Sequence, residues 1–162
     1  VDWVMKDLRI LSLNVQTMPK EYGVRFADLS KYPYRSVCLF SSHDMPTLRL
    51  WWDEDKEVAQ DYYESVLYHT GTAPHPLPGW LAREIVVRQM QTPSMLCIVQ
   101  LQDWLATDER IRQADPTDER VNVPANPFHY WRYRMPMTIE SLKADRDFVN
   151  SIKDIVDETG RY

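Results

Sequence analysis

Apolar positions along this chain change period several times, and each change marks an expected element boundary. Val1, Val4, Met5 and Leu8 recur at helical spacing, whereas Leu11, Leu13 and Val15 alternate with Ser12 and Asn14, so a helix end feeding a strand is predicted. Ser36 to Phe40 is a second apolar run, closed by Ser41, Ser42, His43 and Asp44, and is expected to be a buried strand. Pro46 suits a first helical turn, and the helix that begins with Leu48 to Trp52 is expected to run past Asp53 to Asp55. A further helix carries Val58, Tyr62, Tyr63, Val66 and Leu67, with Gly71 as its stop. Pro74, Pro76 and Pro78 stiffen the loop before Trp80, Leu81, Ile85 and Met90 repeat at helical intervals. Met95 to Val99 is the third strand, apolar enough to suggest burial on both faces.

Residues 108 to 127 are polar and carry prolines, the mark of a long loop, which in a compact domain is more often functional than idle. Tyr130 to Met135 is expected to rejoin the core. Leu142, Phe148, Val149, Ile152, Ile155 and Val156 predict one closing helix, capped near Gly160. Strands alternating with helices in this order indicate α/β architecture with parallel pairing. No repeat, low-complexity tract or Gly/Ser linker divides the chain, so residues 1–162 are expected to form a single unit.

Composition, the length of apolar runs and the chain's first residues add to this picture. The net charge of -5, from 24 acidic against 19 basic residues, disfavours partners held by phosphate neutralisation, so no nucleic acid is expected. No apolar run approaches the roughly 20 residues that span a bilayer, so no membrane partner is expected either. Cys38 and Cys97 match no metal spacing and lie in apolar stretches, which suits buried thiols in a reducing compartment; a cytoplasmic location is the expectation. The chain starts at Val1 with no basic and apolar leader, as if excised from a longer protein. Its 6 Trp and 9 Tyr fit either a large aromatic core or a surface on which sugar rings stack, and composition leaves both open.

Candidate chemistry gathers where strands end. His43 and Asp44 follow the second strand, at the edge where active sites collect in parallel α/β folds; a carboxylate there can stabilise developing positive charge. The plainer reading is that Asp44 helps to cap the helix beginning near Pro46. Gln102 and Asp103 follow the third strand in the same way, or serve as a turn before Trp104. Arg120 to Pro124 and Asn126 to Arg134 interleave arginines with aromatic residues, which fits sugar stacking and equally fits an alternating strand with charged heads in water. A phosphate-cradling Gly loop, a Cys/His metal cluster and a nucleophile elbow are all missing from the sequence, which leaves carboxylate chemistry. Glycoside chemistry commonly needs two carboxylates, and here Asp44 has no persuasive partner.

Taken together, His43-Asp-Met-Pro-Thr-Leu-Arg49 with Trp51-Trp52, Gln102-Asp103, Arg120-Val-Asn-Val-Pro-Ala-Asn-Pro127 and His129-Tyr-Trp-Arg-Tyr-Arg134 resemble the C-terminal part of glycoside hydrolase family 77, the 4-alpha-glucanotransferases. The resemblance runs nearly end to end and is similar above all to the branch shared by gut-type bacterial and plant cytosolic disproportionating enzymes. It implies that the α/β unit is the C-terminal segment of a (β/α)8 barrel, about three strands with their helices. It implies an enzyme that moves α-1,4-glucan segments between maltooligosaccharides through a covalent glycosyl-enzyme, with no cofactor and no metal. Asp44 would match the carboxylate that stabilises the transition state, and His43 its sugar-binding neighbour. Gln102, Asp103, Asn122 and Trp131 would be substrate-binding candidates. The nucleophile and acid/base would lie before Val1, so the piece alone is expected to be inactive and, with open strand edges, to self-associate or rearrange. The alternatives are a non-catalytic glucan-binding piece or part of another barrel α-glycosidase.

Overall fold

The computed structural model describes residues 2–161. Val1, the first position of the expected opening helix, lies outside them. Three strands, β1 (Ser12–Val15), β2 (Ser36–Leu39) and β3 (Leu96–Cys97), form one parallel sheet in the order β1-β2-β3. Around it stand α1 (Asp2–Asp7), α2 (Leu48–Glu54), α3 (Lys56–Ser65), α4 (Gly79–Met90), α5 (Leu101–Leu105), α6 (Ile139–Ala144) and α7 (Arg146–Thr159). The crossover from β2 to β3 is long, as a parallel pair requires, and carries α2, α3 and α4. The crossover from β1 to β2 has no α-helix, only a 3-10 turn at Leu29–Lys31 whose start is capped by the Asp28 carboxylate.

Register divides the sheet into two unlike faces. Asn14, Cys38 and Cys97 are neighbours across the strands on one face; Cys38 is fully buried there and both thiols are free. Behind this face the core is built from Phe40 and from Trp52, Tyr62, Leu81, Ile85 and Ile155 of the helices. Phe26, Phe40, Trp51, Trp52 and Tyr62 form one aromatic cluster with centroids 5.0 to 6.4 Å apart, its pairs edge to face, the arrangement aromatic quadrupoles favour, except Trp51 and Trp52, which are tilted at 59°. The fully buried Tyr62 donates its hydroxyl to Gln16 Oε1 at 2.6 Å, and Trp52 donates its indole N–H to the Pro74 carbonyl at 2.9 Å, so neither ring hides an unpaired polar atom.

The opposite face carries Leu13, Val37 and Leu96 in register, and Leu13 and Leu96 are 55% and 48% exposed. This corrects the expectation that the third strand is buried on both faces: Met95, Leu96 and Ile98 are exposed, and the paired strand is two residues long rather than five. Val37, between Leu13 and Leu96, is partly buried. On α1 the side chains of Trp3 and Val4 are exposed, as is Leu8 beyond its end.

Four other expectations need correction. The helix from Leu48 stops at Glu54, because the Asp55 carboxylate accepts from the N–H groups of Glu57 and Val58, both at 3.0 Å, and starts α3 instead. That helix stops at Ser65, well before Gly71, with Tyr68 already in the left-handed region at φ 61°. The closing helix is two, because Asp145 turns the chain and caps α7 through Phe148 N at 3.0 Å; Gly160, at φ 66°, ends α7 as expected. Residues 130–135 form no strand, and Tyr130 and Trp131 are exposed rather than in the core.

Candidate active site

Phe40 ends the apolar run of β2, and the chain turns at His43 and Asp44 before Thr47 starts α2. The turn is short and both its ends are held. Asp103, buried at the start of α5, accepts from the Leu48 N–H at 2.8 Å through one oxygen and from the Ser41 hydroxyl through the other. A single carboxylate therefore straps residues 41 and 48 together, while Gln100 Nε2 donates to Ser41 Oγ at 2.5 Å. Burial raises the Asp103 pKa to about 6, against the opposing pull of the Ser41 and Leu48 hydrogen bonds.

The side chains on the turn point out of this frame. His43 and Asp44 are each about half exposed, with His43 Nε2 3.2 Å from Asp44 Oδ2. The other carboxylate oxygen, Asp44 Oδ1, accepts from Asn122 Nδ2 at 2.7 Å, a contact between positions 78 apart in the chain. Trp131 closes the group, its ring centroid 5.2 Å from that of His43 at 41° and its surface largely open to solvent. Asp44, His43, Asn122 and Trp131 thus come together at the C-terminal edge of the sheet: an acidic group with both oxygens engaged, an imidazole beside it and an aromatic platform at its rim. A carboxylate so held is suited to accept hydrogen bonds from hydroxyls and to stand against developing positive charge.

Gln102 and Asp103 take a different place from these four. Both are buried; Gln102 Nε2 donates to the Glu119 carbonyl at 3.2 Å, and Asp103 holds the turn as described. Their geometry reaches the opening through other residues.

Two residues complete the frame: Arg49, a motif member that sequence reasoning gave no role, and Glu119, which it passed over. Arg49 and Glu119 form an ion pair with side chains only 4% and 2% exposed, and Glu119 also accepts from Thr47 Oγ1 at 2.9 Å. Arg49 donates further to the Gln113 carbonyl at 2.8 Å. Burial raises the Glu119 pKa and the Arg49 charge opposes that rise. No local pattern announces Glu119, which sits in a polar, proline-bearing stretch; only its position two residues after Thr117 and one before the Arg120-Val-Asn motif places it near the site.

The sequence profile described as 4-alpha-glucanotransferase matches residues 1–139. A rice protein, "4-alpha-glucanotransferase DPE2", is 37% identical over 158 residues, 98% of this chain and 17% of its own length. This chain belongs to the 4-alpha-glucanotransferase family. A Chlamydia muridarum 4-alpha-glucanotransferase is 28% identical over 128 residues, 74% of this chain and 22% of its length. In fold, the chain is similar to an amylomaltase from Streptococcus agalactiae solved in complex with acarbose, with a TM-score of 0.69 at 17% identity over 99% of this chain and 29% of that one. This chain therefore spans about a fifth of the length of the curated relatives it matches.

Proposed function

We propose that this chain is the C-terminal part of a 4-alpha-glucanotransferase, and that Asp44 is the carboxylate which stabilises the transition state of glucan transfer. The observation that carries this reading is the convergence of His43, Asp44, Asn122 and Trp131, drawn from two separate stretches of sequence, on one edge of a parallel sheet.

In this reading the substrates are α-1,4-glucans and maltooligosaccharides, a class consistent with the acarbose complex of the amylomaltase that shares the fold. The remainder of the parent supplies the other strands of the barrel and the two further carboxylates. One attacks the anomeric carbon, and the other protonates the departing glucan and later deprotonates the acceptor 4-hydroxyl, so configuration is retained. Asp44 accepts hydrogen bonds from hydroxyls of the reacting sugar as its ring flattens toward an oxocarbenium ion. Asn122 and His43 hold the carboxylate and offer hydrogen bonds of their own, and Trp131 supplies a face on which a neighbouring sugar stacks. Gln102 and Asp103 contribute by fixing Glu119 and the turn. The chemistry uses carboxylates and hydroxyls and needs no metal. The two free thiols fit a reducing compartment such as the cytoplasm.

Incubation of the full-length parent with maltotriose, followed by chromatography, tests the reading: transfer yields glucose together with oligosaccharides longer than the substrate. Glucose and maltose alone, without longer products, would point instead to another barrel α-glycosidase. The exposure of Phe128, Tyr130 and Trp131 favours glucan binding as a second property of the isolated chain. Saturable maltooligosaccharide binding without turnover would show that property.

A further inference from the structure

The loop that delivers Asn122 has almost no regular structure, yet Asn122 Nδ2 lies 2.7 Å from Asp44 Oδ1. Something must fix where this loop meets the turn. Three residues before Asn122, the buried Glu119 carboxylate divides its oxygens between the Arg49 guanidinium and the Thr47 hydroxyl, both at the head of α2, while its carbonyl is held by Gln102. Beyond it Arg120 Nε donates to the Asn122 carbonyl at 3.1 Å and Arg120 Nη1 reaches Glu54 Oε1 at 3.2 Å. Glu119 grips residues 47 and 49, and Asn122 grips residue 44, so the two clamp opposite ends of one short segment.

A buried ion pair is a poor means of stabilising a fold, because desolvation consumes most of its attraction and an apolar pair of similar volume often serves as well. What a carboxylate adds is direction: two oxygens with two separate donors fix the loop's register against α2 in a way that apolar packing does not. We propose that Glu119 is a positioning residue, which sets the Asn122–Asp44 contact and through it the rate of transfer without touching the glucan. This inference rests on the function proposed above for Asp44.

The test is a double-mutant cycle in the full-length enzyme with maltotriose as substrate. Glu119→Gln is expected to lower kcat on the order of 10- to 100-fold with KM little changed, the effect of a small misplacement near reacting groups. Added to Asn122→Ala, it should lower kcat no further, since both act through one contact. Effects that multiply, or a Glu119→Gln enzyme with the wild-type kcat, overturn the proposal. Because Glu119→Gln leaves Arg49 buried without its partner charge, the paired replacement Arg49→Met with Glu119→Leu serves as the second variant. It is expected to keep the wild-type melting temperature and still lose kcat; wild-type kcat in a normally folded paired variant contradicts the role. Failure of the underlying reading would show separately, as absence of transfer by the wild-type enzyme or as undiminished transfer by Asp44→Ala.

Discussion

Asp103 carries the clearest residue-scale consequence. Its carboxyl titrates at about 6 in the fold against an ordinary 3.8, because burial penalises the charged form. The folded state therefore holds this proton more tightly than the unfolded chain, and the group's contribution is most favourable below about pH 4. That contribution is lost as pH rises toward about 6, by up to about 1.4 kcal/mol per pH unit, and is constant above. Asp103→Asn should abolish this slope. Urea denaturation of both proteins between pH 4 and 7 checks it: the wild-type stability should fall relative to the variant as pH rises, and a constant difference would contradict the assignment. At this scale the sequence was legible where polar residues followed a strand. His43, Asp44, Asn122 and Trp131 were all visible as motif members, and the structure brings them together. Glu119 was not, because a lone Glu in a polar loop looks solvated until burial against Arg49 is known.

Among the elements, α4 shows how a close approach outweighs intrinsic propensity. Gly79 opens this helix with its N–H donated to Glu109 Oε1 at 2.7 Å, and a Cβ built there would lie 2.8 Å from the Thr107 carbonyl oxygen. Alanine is the better helix former by about 1 kcal/mol, yet the clash is with backbone and overpacking costs about 1–3 kcal/mol. Gly79→Ala is expected to lower the melting temperature; an unchanged or raised value would show that the 107–109 segment yields freely. Element boundaries followed the same division between local and non-local information. The strand starts and the Gly160 stop were legible because periodicity and a left-handed cap are local signals. The break at Asp145 was missed although Asp145 is an ordinary N-cap, since the apolar pattern on either side suggested continuity, and the break before α3 falls at Asp55 rather than after it, because that carboxylate caps the second helix. The alternation in residues 130–135 suggested core structure, but a strand needs a ladder partner and none of the described strands pairs with it.

For the whole molecule the informative surface is the sheet face where Leu13 and Leu96 are exposed on either side of the partly buried Val37, together with the outer edges of β1 and β3. An apolar face beside unpaired strand edges favours association. The isolated chain is expected to dimerise or aggregate, visible by sedimentation velocity as a concentration-dependent increase in mass, whereas a monomer at all concentrations would show that the face is tolerated in water. The α/β class and parallel pairing were legible from the order of elements; the exposure of Leu13 and Leu96 was not, because an apolar strand pattern alone does not tell which face is packed.

The central claim is that Asp44 serves glucan transfer in the parent enzyme. Comparing the full-length protein with its Asp44→Ala variant on maltotriose, with glucose and longer oligosaccharides resolved by chromatography, tests it most directly. The account predicts redistribution by the wild type and a loss of several orders of magnitude in kcat in a variant that melts normally. Undiminished transfer by Asp44→Ala would contradict it.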